Sequence, residues 1–296
     1  MKKIMILAAM AALISCQKDN GGEMSLEEGV ISFEMGISTR ATATAFENGD
    51  KVALYAVEYV SEDAPELQTA GNFINNEKLT YDGTSWKGEN TLYWSAVPCD
   101  FYALYPYADL TSVDEHYFEV TVDQNAPETA DALGGYEASD ILWAKAEKVA
   151  HADGAVSLQF RHMMSKCVVT ITKGEKFEGE IPDDIVTHIY NTSTRVVLDF
   201  VNGSVEKDAL GPRKTITMRK LSNTRFEAIV VPQNIERRTQ LIEVTMGGIA
   251  YLLEYSISFK PGYVHTINII LNTSPDQEKV EISIDPEIDE WNLNNY

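Results

Sequence analysis

Short runs of Val, Ile, Thr, Tyr and Phe, broken every few residues by Gly, Asn, Asp or Pro, recur along this chain and restrict it to an all-β fold. Such runs stand at 51–57, 101–105, 117–122, 167–172, 195–200, 226–231, 242–246 and 265–271. Between them, Asn48-Gly49, Asp82-Gly83, Asp153-Gly154, Asn202-Gly203 and Gly247-Gly248 supply the positive φ that tight hairpins need. This is the pattern of β-sandwich strands. Helical periodicity is scarce, and only 145–150 and 182–188 read as a turn or two of helix.

The first sixteen residues read as a secretory leader. Lys2 and Lys3 precede an uninterrupted apolar run at 4–14, and small Ser15 stands before Cys16. That run is about half the ~20 apolar residues that a membrane-crossing helix requires. Leu13-Ile14-Ser15-Cys16 resembles the bacterial lipobox, which implies cleavage before Cys16 and lipid on its sulfur. Two or more acyl chains hold a protein stably on a membrane, whereas one chain binds only marginally. The polar, glycine-containing stretch at 16–28 then reads as a flexible tether.

The remaining length exceeds one typical core, so two domains are expected, at 29–164 and 165–296. A formal charge of −21 argues against nucleic acid or anionic lipid as a partner and suits a solvated outer surface. Once Cys16 is lipidated, only Cys99 and Cys167 remain, each in an apolar β-like segment. Two buried reduced thiols are expected there, with a disulfide as the other reading.

Both ends of the mature chain alternate. Ile31, Phe33, Met35 and Ile37 alternate with polar or small residues, and so do Val280, Ile282, Ile284, Pro286 and Ile288 near the C-terminus. Each end offers one row of apolar side chains to a groove. Arg40 lies in the Thr/Ala-rich stretch 39–45, a connector where proteolysis would concentrate. Removal of the first strand after Arg40 would open a groove for a strand of similar pattern from another molecule. Two ordinary edge strands would show the same alternation.

Several segments together resemble the fimbrillin family, the lipoprotein precursors of type V pili in Bacteroides-type bacteria. They are the lipobox, 31–37 followed by Thr39-Arg40-Ala41, Phe46-Glu47-Asn48-Gly49-Asp50, and Asp100-Phe101-Tyr102-Ala103-Leu104-Tyr105-Pro106-Tyr107. Phe160-Arg161-His162-Met163-Met164-Ser165-Lys166 and Pro261-Gly262-Tyr263 continue the likeness in order. The resemblance implies two transthyretin-like β-sandwich domains in tandem and an outer-membrane lipoprotein precursor destined for a fimbrium. It further implies an arginine-specific protease acting between Arg40 and Ala41, and assembly with other pilus subunits by donor-strand exchange, with Val280, Ile282, Ile284 and Ile288 in the donor. The departure is at the C-terminus, where Ile288-Asp289-Glu290-Trp291-Asn292 resembles the ending of fimbrillin-like paralogues as much as that of major shaft subunits, which leaves shaft, tip, anchor and non-polymerising roles open.

Catalytic and metal motifs are absent from the sequence. The five histidines are scattered without ligand spacing, and neither a nucleophile elbow nor a phosphate loop occurs. His162, two residues after Phe160 in a β-like run, reads as a packed, hydrogen-bonded histidine. No cofactor is expected beyond the covalent lipid on Cys16. A second functional reading is a monomeric surface lipoprotein that binds glycans or host ligands, with Trp86, Tyr93, Trp94, Tyr105 and Tyr107 as stacking candidates. Aromatic residues in sandwich strands more often belong to the core.

Overall fold

A computed structural model describes residues 29–38, 45–62, 66–273 and 282–290. In the first half the strands are β1 (Phe33–Ile37), β2 (Lys51–Glu58), β3 (Ile74–Tyr81), β4 (Trp86–Gly88), β5 (Cys99–Tyr105), β6 (His116–Glu119), β7 (Leu142–Val149) and β8 (Val156–His162). In the second half they are β9 (Ser165–Lys176), β10 (Val186–Ile189), β11 (Arg195–Asp199), β12 (Ser204–Lys207), β13 (Ile216–Thr217), β14 (Arg219–Ser222), β15 (Arg225–Val230), β16 (Gln233–Ile235), β17 (Gln240–Met246), β18 (Ile249–Glu254), β19 (Ile257–Phe259), β20 (Tyr263–Thr273) and β21 (Ile282–Glu290). The helical content of the described residues is two three-residue 3-10 turns, Glu137–Ser139 and His151–Asp153. The all-β architecture expected from the sequence is thus what forms.

Seven strands of the first half make one sheet in the order β1-β8-β7-β5-β2-β3-β4. Strands β2 and β5 are apolar on successive residues because both of their faces are covered. On β2, Val52, Leu54 and Ala56 face a core shared with Phe101, Leu158 and Phe160, whereas Ala53, Tyr55 and Val57 join the core that continues into the second half. The chain just before β1 also meets the chain just after β4. The Ile31 amide donates to the Leu92 carbonyl at 2.9 Å and the Trp94 amide to the Gly29 carbonyl at 2.9 Å. The two ends of the sheet therefore approach each other around the first core.

In the second half, a five-stranded sheet runs β14-β15-β9-β20-β21 and a four-stranded sheet runs β13-β10-β17-β18. The chain changes sheets between His162, the last residue of β8, and Ser165, the first of β9. The halves are nevertheless interwoven. Strand β6 pairs antiparallel with β11, and the chain following it runs on among second-half strands. Its buried Gln124 amide clamps both backbone groups of Ile229, each at 2.7 Å. One continuous apolar core links Tyr55 and Leu104 of the first half to Val169, Phe226 and Ile267 of the second.

Two expectations of helix are corrected. Residues Lys145 to Val149 belong to β7, where Lys148 takes a φ of +53° at a register irregularity opposite Cys99 and Phe101. The Asp100 carboxylate accepts the Lys148 amide at 2.7 Å and satisfies the bulged backbone there. Residues 182–185 make a turn that leads into β10. Ile185, Thr187 and Ile189 are all buried, a period of two imposed by pairing with β17. The hairpin glycines, by contrast, adopt the expected positive φ, from +57° at Gly247 to +102° at Gly49.

Candidate functional site

Strand β1 forms one edge of the seven-stranded sheet. Among the described residues it pairs only with β8, in parallel, with Phe33, Met35 and Ile37 in register with Val156, Leu158 and Phe160. The pairing is extended at both ends, where the Val156 amide donates to the Ser32 carbonyl and the Ser38 amide to the Phe160 carbonyl, each at 2.9 Å. Ile31 is 5% exposed, while Phe33, Met35 and Ile37 are half-buried against the first core. Phe33 meets the buried ring of Phe101 edge-on at 6.3 Å. The β1 apolar residues sit opposite the inward row of β8, while the intervening Ser157 and Gln159 are exposed.

Strand β21 holds the corresponding place in the second half. It lies at the edge of the five-stranded sheet, antiparallel to β20. Its positions Ile282, Ile284, Pro286 and Ile288 stand in register with Leu271, Ile269, Ile267 and His265, all four of them buried. Pro286 is tolerable there because an edge strand can lack one amide donor on its open side. Cys16, Arg40, Ala41 and Val280 lie outside the described residues.

A buried polar seam runs between the halves. Glu227 on β15 is in ion contact with Lys166 of β9 at 2.8 Å and accepts the Arg219 Nε–H at 3.0 Å. Burial would push the Glu227 carboxyl up, but Lys166 and Arg219 outweigh it and hold the group below its ordinary value. Arg219 also reaches Glu137 and stacks on the Tyr136 ring, 3.8 Å from its centroid. Nearby, His162 Nδ1 lies 2.8 Å from Asp140 Oδ2, the packed and hydrogen-bonded histidine that the sequence suggests. The sequence offered one hint of this seam, a lone glutamate inside the apolar run 226–231.

Cys99 and Cys167 are free and fully buried in separate cores. Of the five aromatic candidates, Trp86 packs on Phe46 and Tyr81, Trp94 on Phe101, and Tyr105 on Phe46. Tyr107 receives the Lys78 ammonium over its ring at 5.0 Å. Tyr93 is 49% exposed.

Against this geometry stand the comparisons with known proteins. A Bacteroides ovatus protein assigned as the fimbrium tip subunit Fim1C is 30% identical over 162 residues, which cover 49% of this chain and 28% of that protein. The match thus spans little more than a quarter of the relative's length. A crystal structure assigned to cell adhesion from Bacteroides ovatus superposes with a TM-score of 0.67 at 17% identity, covering 90% of this chain and 99% of the other. A second, from Bacteroides uniformis, gives a TM-score of 0.65 at 23% identity, with 89% and 99% covered. At these identities the two structures establish a shared fold. The signature of the family described as fimbrillin-like matches residues 39–291, most of the sequence, and the chain belongs to that family.

Proposed function

We propose that this chain is a structural, non-catalytic subunit of a type V pilus or pilus-like surface fibre. In this reading it is exported as an outer-membrane lipoprotein through Cys16 and tethered by 16–28. An arginine-specific protease cuts between Arg40 and Ala41, the strand holding Ile31, Phe33, Met35 and Ile37 leaves, and a donor strand containing Val280, Ile282, Ile284 and Ile288 from a neighbouring subunit refills the groove. The working units are 29–164 and 165–296.

The observation that carries the reading is the peripheral attachment of β1, which along Phe33–Ile37 pairs, among the described residues, with one neighbour only. Full burial of Ile31 and partial burial of three more apolar side chains stabilise it by on the order of 4 to 7 kcal/mol. That is enough to hold the strand while it is covalently attached. Once it is cut free, dilution favours its loss, and the groove over Val156, Leu158 and Phe160 would accept an alternating apolar strand. The β21 register opposite four buried β20 positions makes it a segment of the required pattern at the other end of the chain. A monomeric glycan-binding role has less support, because most of the aromatic candidates are engaged within their own domain.

The test is to treat the purified chain with an arginine-specific protease, sequence the new N-terminus, and run the product on a gel after moderate heating. The expected result is a start at Ala41 and a heat-resistant ladder, both lost in Arg40→Ala, with the ladder alone lost when 280–296 are deleted. A cleaved chain that stays monomeric, or a ladder that persists without 280–296, overturns donor-strand exchange.

A further inference from the structure

We propose that a cavity at the junction of β1, β7 and the polar seam binds a primary ammonium group carried on a short aliphatic stem. The cavity is that of the chain with β1 in place, and its test does not require the pilus reading. The cavity has a volume of about 290 Å³, and its apolar wall comes from Ile37, Phe46, Leu133 and Leu142. That volume is at the small end for ligand pockets and suits a stem of a few methylenes.

The polar wall is predominantly acidic. Glu47, Asp50, Glu128, Glu137 and Asp140 line the cavity together with the cations Lys166 and Arg219. Both cations are in ion contact with Glu227, and Arg219 also with Glu137. Among the described residues, positive charge is therefore short on the Glu47, Asp50 and Glu128 side. Burial and, less strongly, the neighbouring Glu47 and Glu128 charges push the Asp50 carboxyl up, opposed by the Glu47 amide at 2.7 Å and by a hydrogen bond from the Tyr105 hydroxyl.

Independent of the charge count, two residues in the lining carry oxygens that find no hydrogen-bond partner among the described residues, and one of them, Tyr136, is more than nine-tenths buried. Among the described residues, the hydroxyl of Tyr136, 7% exposed, finds no hydrogen-bond partner, and neither does Oδ1 of Asp140, whose side chain is 12% exposed. Leaving a buried polar atom unmatched costs about 1 to 3 kcal/mol, so two beside one cavity point to an occupant that supplies donors. An ammonium brings three donors and no acceptor, which matches a carboxylate oxygen and a phenolic oxygen. A metal ion fits less well, since among the described residues no three His, Cys, Asp or Glu side chains are grouped to ligate one. The apolar wall, which would be wasted on a bare ion, is accounted for by the methylene stem.

The same chemistry can come from a free diamine or from a lysine side chain of a peptide. Titration calorimetry of the intact chain with 1,4-diaminobutane, with Nα-acetyl-lysine methylamide and with neutral 1,4-butanediol separates these. Saturable binding of either amine, at least roughly tenfold tighter than the diol, supports the proposal, and the tighter of the two amines identifies the source. Tyr136→Phe, which keeps the ring under Arg219, and Glu128→Gln, at an exposed position, should each weaken binding roughly tenfold. Glu206→Gln, the same charge loss on exposed β12, should leave it unchanged. Equal loss in all three variants would mean diffuse attraction to an acidic surface and would overturn the site, as would equal binding of diol and diamine or no binding of either amine.

Discussion

Lowering the pH should destabilise this fold through His265 before the bulk of its carboxylates titrate. His265 lies fully buried near the start of β20, between β9 and β21, in register with Cys167 and Ile288. Its Nε2 accepts the Lys260 amide at 3.0 Å, and its ring meets Phe259 edge-on at 5.3 Å. Among the described residues, Nδ1 has no hydrogen-bond partner. Burial lowers the pKa of the ring from 6.5 to about 4. The folded chain therefore refuses a proton that the unfolded chain takes up below pH 6.5, so this stability is present above that value and lost as pH falls towards 4. The full difference is about 3.4 kcal/mol, and between about pH 7.5 and about pH 5.5 the loss from this one group is about 1.3 kcal/mol. That window stays above the isoelectric point near 4.6, where solubility is poorest. The assay is urea unfolding followed by circular dichroism at both pH values, on the parent chain and on His265→Gln, which keeps an acceptor for the Lys260 amide. Other groups titrate alike in the two proteins, so the variant should show a pH dependence smaller by about 1.3 kcal/mol. An identical pH dependence in both would refute the claim that His265 is held neutral.

Gly203 has a φ of +62°, and an added Cβ would stand 2.5 to 2.6 Å from the Trp143 ring, so Gly203→Ala should cost about 2 to 5 kcal/mol in chemical denaturation. The same ring donates to the Phe200 carbonyl at 2.7 Å and carries the Arg161 guanidinium, so a cost below about 1 kcal/mol would mean that this joint between the halves is soft. Cys99 and Cys167 are fully buried, and burial pushes their thiols up to about 11 and about 12. A disulfide-exchange reagent at neutral pH should leave both unmodified until denaturant is added, and fast labelling of the native chain would show that the cores open.

The local layer of this structure is written in its sequence. Alternation and β-branched runs marked the strands because a pleated backbone turns successive side chains to opposite faces, and the paired glycines marked hairpins because their backbone tolerates positive φ. The helical reading of 145–150 and 182–188 failed where tertiary pairing, with β5 in one case and β17 in the other, outweighed weak local spacing. The apolar rows at 31–37 and 280–288 were likewise visible, although alternation alone could not say which strand each would lie beside. Only the folded chain determined that β1 lies parallel to β8, more than a hundred residues away, and that β6 crosses into a sheet of the second half. The cavity was equally illegible, since Phe46, Tyr136, His162 and Arg219 come from four distant stretches. Sequence period encodes which face of a strand is apolar. Which other strand covers that face, and which charges are then trapped in the seam, depends on contacts between residues with no local signal of one another.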